Sequence, residues 1–270
     1  MSDCPLCSSP GNGVVWSGRG RQGVDTLRRC SGCGAAFTDP MPSSAVIRAH
    51  YADDYFRDCY GGDRRVAVQR DGRLLDTAER RLGGRGRILD VGCGVGDLCE
   101  AAEKRGWEAV GIEPAESAAR RARERGATVV CADAVEGLTG DRAGELRGPF
   151  DLIVFRDVIA HLPRAGAALS GACALLRPGG WLAVRTPNRH AGVFRVARLA
   201  ERIFDGAGVL HLPAQVLHLE PRSLVAILDR LGLEEVRVTG EAENRDGPAR
   251  YSRRRLLDVL WRLQVLSLIH

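Results

Sequence analysis

Two sets of residues have the types and spacing that chemistry needs. The first is a pair of C-x2-C repeats near the N-terminus, Cys4 and Cys7 in "CPLC" and Cys30 and Cys33 in "CSGCG", separated by 22 residues. Each repeat turns tightly enough to point two thiolates at one ion, and four thiolates complete a tetrahedron around zinc. A closed four-sulfur shell leaves no position for water, so such a site is structural and supplies folding energy to a module with little core of its own. The second set starts with "ILDVGCGVGD", where Gly92, Gly94 and Gly96 follow a short apolar run ending in Asp90 and Val91. Glycines in a strand-to-helix turn let the backbone approach a ligand closely and adopt positive φ. The G-x-G-x-G spacing differs from the dinucleotide G-x-G-x-x-G.

Further along, "VGIE" ends on Glu113 and "CAD" on Asp133. At the tip of a second strand, Glu113 can accept hydrogen bonds from both hydroxyls of a ribose. At the tip of a third, Asp133 can meet an adenine amino group. The turn and the two acids together form a cradle for adenosine with a short tail, at the carboxyl ends of strands where α/β sheets bind ligands.

These side chains need a sheet to carry them. "RILDVG", "WEAVGIE", "ATVVCAD", "FDLIVFRDV", "WLAVRTP" and "LEEVRVTG" read as strands. Residues 97–105, "PAESAARRARERG", "AGAALSGACALLRPGG" and "RSLVAILDRLG" read as helices, with Asp97 in a first turn and Pro-Gly-Gly closing the third. Apolar strands alternating with helices predict an α/β fold, a Rossmann-like doubly wound, mostly parallel sheet. The chain divides into a zinc ribbon (1–40), a helical lid or linker (41–85) and the α/β domain (86–270).

The α/β stretch resembles class I S-adenosylmethionine-dependent methyltransferases over residues 86–240. "ILDVGCGVGD" matches the family's first motif, "GIEPAESAARRARERG" its ribose-binding acid and helix, and "FDLIVFRDVIAHL" and "LLRPGGWLAVRTPN" its fourth and fifth strands. The resemblance implies that Gly92, Gly94, Gly96 and Asp90 lie along the methionine part of the cofactor. It implies Glu113 at the ribose, Asp133 at adenine, and Asp157 and Val158 beside the methyl group. The family has an antiparallel seventh strand. Here "RLQVLSLIH" is a candidate for it, and a different ending is the alternative.

Zinc knuckles followed by "DPMPSSAVIRAHYADDYF" resemble the front of bacterial sugar and natural-product methyltransferases. That likeness implies Tyr51, Tyr55 and Phe56 folded over the cofactor mouth. The base expected for a hydroxyl or carbon acceptor is His161, after the fourth strand. The family's Glu-His pair is Ala160–His161 here, so the acid is missing. The long connection after the fifth strand holds an amphipathic "GVFRVARLAERIF" and then His211, Gln215 and His218, candidates for the substrate pocket.

The 270 residues carry a net charge of +5, with Lys104 the only lysine. That balance permits an anionic substrate without requiring nucleic acid. An Asp/Asn-Pro-Pro-aromatic motif and a Pro-Cys nucleophile are both missing, which weakens two nucleic-acid routes. No apolar run of about 18 residues or secretory signal appears, so a cytoplasmic protein without a transmembrane helix is expected. The reading is methyl transfer to a small molecule, a sugar or natural-product intermediate, at O, C or N. Its alternatives are an RNA methyltransferase gripping its substrate with the ribbon, and a non-catalytic zinc- or S-adenosylmethionine-binding protein. Oligomeric state stays open.

Overall fold

The structure, a computed structural model, describes residues 2–20, 23–43, 46–47, 64–188, 214–241 and 265–269. Tyr51, Tyr55, Phe56, His211 and the "GVFRVARLAERIF" stretch lie outside these. Two sheets are present among the described residues.

The larger sheet is built from β4 (Arg87–Val91), β5 (Glu108–Ile112), β6 (Thr128–Val130), β7 (Phe150–Arg156), β8 (Leu176–Pro187), β10 (Arg237–Glu241) and β11 (Val265–Ile269). Their order is β10-β11-β8-β7-β4-β5-β6. The pairs from β6 across to β8 are parallel, and β11 runs antiparallel to both β8 and β10. "VLSLI" therefore takes the place of the antiparallel seventh strand, the first of the two endings left open by the sequence. The chain order reverses between β4 and β7, so the crevice of this doubly wound sheet falls at the end of β4.

Period-two alternation assigns the two faces. Leu89, Val91, Ile153, Phe155, Leu182 and Val184 enter the core under α5 (Ala165–Leu175) and α6 (Pro221–Arg230). Ile88, Leu152, Val154 and Ala183 pack the other way, with Leu75 and Ala78 of α1 (Arg64–Leu82), Leu98 and Ala102 of α2 (Asp97–Glu103) and Ala119 and Ala122 of α3 (Glu116–Glu124). One boundary differs from the sequence reading. Pro178-Gly179-Gly180 does not close the helix but forms the leading end of β8, because α5 hands over directly to the strand at Leu176. A short helix that the sequence reading passed over, α4 (Ala134–Thr139), follows β6.

The smaller sheet holds β1 (Gly11–Gly20), β2 (Gly23–Cys30), β3 (Ala36–Thr38) and, from far along the chain, β9 (Leu217–His218), in that order. Ala36 pairs with His218 and Phe37 with Leu217. The ribbon is thus stitched to the α/β domain by backbone hydrogen bonds. Its Leu6, Ala35 and Phe37, all essentially buried, share one apolar cluster with Phe150, Ile159, Leu169 and Val216. No helix among the described residues is long and apolar enough to cross a membrane.

Candidate functional site

The glycine turn has the conformation its composition predicts. Gly92, Gly94 and Gly96 have φ of 75°, 56° and 79°, a region that L side chains rarely adopt. A Cβ on Gly92 would sit 2.3 Å from a methyl of Val158, so the turn and the end of β7 are packed without room for a side chain. The turn is tied to the next strand: the N–H groups of Gly92 and Cys93 both donate to the Ile112 carbonyl, and Gly94 N–H donates to Glu113 Oε2 at 2.9 Å.

Glu113 is 4% exposed. Its second oxygen accepts the Ala115 N–H at 2.9 Å, so both oxygens are oriented by backbone donors while each keeps a lone pair for a ligand hydroxyl. Burial pushes its carboxyl above the usual range, with the two N–H groups opposing. Asp133 is exposed, and its Oδ1 caps α4 through the N–H groups of Val135 and Glu136, each at 2.9 Å.

Asp90 is buried at the end of β4, and neither carboxylate oxygen accepts a hydrogen bond among the described residues. Its nearest cation is Arg156, 3.5 Å away. Burial pushes its carboxyl up to about 6, against the pull of that guanidinium. A buried carboxylate beside a glycine turn, short of donors, fits a ligand that brings an amino group. Asp157 has φ 56° and pairs with Arg185, and Val158 presses on Gly92.

His161 ends the 3₁₀ turn Ile159–His161. Its Nδ1 lies 2.9 Å from the Ala214 carbonyl oxygen. A carbonyl only accepts, so Nδ1 carries a proton and donates it to Ala214. The same stretch of chain reaches in every direction. Val216 N–H donates to the Ala160 carbonyl, the Val216 carbonyl accepts Thr38 N–H, and Leu219 bridges to Asn188 at the end of β8. Gln215 is half-buried, and His218 is 3% exposed within the small sheet. His161 is therefore held by the strap that completes the ribbon.

The sulfurs of Cys4, Cys7, Cys30 and Cys33 all lie within 4.8 Å of one another. Cys4–Cys33 is 3.8 Å and Cys7–Cys30 is 3.4 Å, far from disulfide length and close to the edge, about 3.8 Å, of a tetrahedron with zinc–sulfur bonds of about 2.3 Å. The knuckle amides of Gly32 and Cys33 point at Cys30 Sγ. A hydrogen bond from Cys33 holds the Cys4 thiol down at about 5, although burial opposes it. Four converging thiols, with N–H donors aimed at the sulfurs, fit a zinc-binding module.

The charged partners that gather around Asp90 escaped the sequence reading. Alternation carries Asp90, Arg156 and Arg185 to the α1 side at the carboxyl ends of three adjacent strands. There Arg156 pairs with the buried Asp71 of α1. The available signal was a charge closing an otherwise apolar strand, in "LIVFR" and "WLAVR".

This strand order, with the glycine turn and the acid after β5, defines a class I S-adenosylmethionine-dependent methyltransferase. The chain belongs to the Methyltransf_23 family of methyltransferase domains, whose model matches residues 62–238. It is 33% identical to a ubiquinone biosynthesis O-methyltransferase of Bordetella avium over 58% of this chain and 66% of that protein, just under two thirds of the relative's length. Among solved structures it is similar to a SAM-dependent methyltransferase from Archaeoglobus fulgidus (TM-score 0.55, 20% identity, 82% of this chain and 98% of that one). It is also similar to magnesium protoporphyrin IX methyltransferase from Synechocystis with bound SAH (TM-score 0.57, 16% identity, 84% and 100%). At these identities the two structures speak for the fold alone.

Proposed function

We propose that the chain transfers a methyl group from S-adenosylmethionine to an oxygen of a small-molecule acceptor, and that Cys4, Cys7, Cys30 and Cys33 hold a structural zinc ion. The observation that carries the cofactor assignment is Asp90, a carboxylate buried against the glycine turn and short of hydrogen-bond donors. The cofactor supplies an activated methyl on a sulfonium. The protein binds and aligns. Asp90 accepts from the amino group of the methionine part, Gly92 and Gly94 admit it closely, and Glu113 accepts from the ribose hydroxyls. Asp133 takes the adenine amino group on the oxygen not used for its cap. Asp157 and Val158 border the methyl.

Oxygen as the accepting atom is supported by the named O-methyltransferase relatives. It is also supported by His161, an imidazole placed just after β7 and oriented by the Ala214 carbonyl, a group of the type that removes a hydroxyl proton. Tyr51, Tyr55, His211, Gln215 and His218 are kept as candidate acceptor contacts.

Calorimetric titration with S-adenosylhomocysteine tests the reading. Wild type binds, and Glu113→Ala loses roughly 1.5–3 kcal/mol, as for hydrogen bonds to a charged group. A folded wild type that binds neither S-adenosylmethionine nor S-adenosylhomocysteine overturns the assignment.

A further inference from the structure

A cavity of about 440 Å³ lies between α1 and the carboxyl ends of β7 and β8. Its size is that of a small-molecule site. Among the described residues its lining includes the arginines Arg70, Arg73, Arg80, Arg156 and Arg185 and the acids Asp71 and Asp76. Asp76 is already paired with Arg105 at 2.6 Å. Positive charge dominates what remains.

The arrangement runs against packing economy. Arg156 and Arg185 stand in register on neighbouring parallel strands, about 4.8 Å apart. Both side chains are largely buried, 15% and 8% exposed. Arg70 comes in from the helix, and burial and the two neighbouring guanidiniums lower its pKa. Like charges side by side repel, and taking each out of water is costly. Asp71 and Asp90 offset Arg156 from the buried side. Asp157, whose side chain is 44% exposed, offsets Arg185 from the rim, through a backbone held at φ 56°. Two more apolar residues would continue the alternation of both strands at lower cost. Guanidiniums in this setting match one kind of guest, a carboxylate or phosphate taken in a fork.

The location sets this guest apart from the adenosine part of the cofactor and beside its methyl end. The residues proposed above for the adenosine part lie at β5 and β6, whereas Arg156 and Arg185 lie on the other side of β4, on β7 and β8, and meet the cofactor residues only at its methionine and methyl end, through Asp90 and Asp157. We propose that this cavity receives an acidic group of the methyl acceptor, a carboxylate or a phosphate, with Arg156 and Arg185 as its recognition residues. The proposal rests on the methyltransferase reading and adds the substrate class.

The probe is inorganic phosphate, titrated at fixed ionic strength into the full chain already saturated with S-adenosylhomocysteine, and followed by calorimetry. Wild type binds both together. Arg185→Gln weakens phosphate by at least about tenfold, as expected for a lost charged hydrogen bond, and leaves S-adenosylhomocysteine within about twofold. Asp157→Asn removes the rim's negative charge at a position whose positive φ Asn tolerates, and tightens phosphate. This second variant keeps the test sound if Arg185→Gln folds poorly. Competition between phosphate and S-adenosylhomocysteine, with Arg185→Gln weakening both alike, assigns the arginines to the cofactor's own carboxylate and overturns the proposal. So does S-adenosylhomocysteine binding with no saturable phosphate response. If wild type binds no S-adenosylhomocysteine, the methyltransferase reading fails first and the acceptor assignment falls with it.

Discussion

The cysteine cluster and the arginine edge both concentrate costly groups inside the molecule, and they solve the problem in opposite ways. The cysteines converge on one point, with four soft donors and no counter-charge of their own. Such a cluster has the geometry of a metal site. The arginines are spread over α1, β7 and β8, and the two on the strands are offset by Asp71, Asp90 and Asp157. That network stands without a guest, and its surplus of charge opens on a cavity. With the zinc ion proposed for it, the first arrangement ties folding to a ligand. The other keeps a stable fold while leaving binding energy in hand.

Metal removal presses hardest on this contrast. Zinc in such a module is worth about 10 kcal/mol or more of apparent binding free energy at neutral pH. Chelation, or Cys33→Ser, is expected to unfold the ribbon and lower the melting temperature of the whole chain, because β3 and β9 belong to one sheet. Metal analysis with a thermal melt checks this. An unchanged melt would show that the ribbon stands without an ion.

Next comes Asp71→Ala. Removing one member of a buried pair takes from Arg156 its closest carboxylate, leaves the longer contact to Asp90, and is expected to cost up to about 3–5 kcal/mol in urea unfolding. Adding Arg156→Met in the same chain should recover most of it. If the double variant is no better than the single, the two residues do not act as a pair.

Asp90 sharpens the comparison from the other side. Its folded pKa, about 6, lies above its unfolded value of 3.8. The folded state therefore holds the proton more tightly, and stability is highest below pH 4 as far as this group is concerned. It falls as pH rises toward 6 and stays low above it. Asp90→Asn should remove that slope and raise the stability of the ligand-free protein at pH 7 by about 1–3 kcal/mol, while weakening S-adenosylhomocysteine. Urea midpoints from pH 4 to 7 decide it, and a variant whose slope equals wild type's would relocate the titration to another group.

The smallest effect belongs to a pair in neither region. Lys104 and Glu100 form an exposed i,i+4 bridge on α2 and its C-cap. Lys104→Ala should change stability by less than about 0.5 kcal/mol. A larger change would mean that surface charge matters here as much as buried charge.

What could be read in advance divides along the same line. The cysteine pairs, the glycine turn and Glu113 are local patterns, each specified within a few residues by a turn or a strand tip. The fold class followed from alternating apolar runs. The arginine network was not legible because its members are far apart in sequence: Arg70 and Asp71, Asp90, Arg156 and Asp157, Arg185. Only sheet order and α1 bring them together. The joining strand was hidden for a different reason. Leu217 and His218 are too few to show a period, and their strand state depends on Ala36 and Phe37 being present to pair with.

That pairing also sets an order of events as the chain leaves the ribosome. The edge of β3 is ready once Thr38 is made, but its partner, Leu217 and His218, follows about 180 residues later. Synthesis proceeds at about 5–20 residues per second, so a bare strand edge waits roughly ten seconds or more for its cover. The ribbon, made well before β9, is thus finished only after it. A chain stopped before Leu217 would keep an open edge that a second copy can pair with, and aggregation of such nascent fragments is the hazard this topology carries.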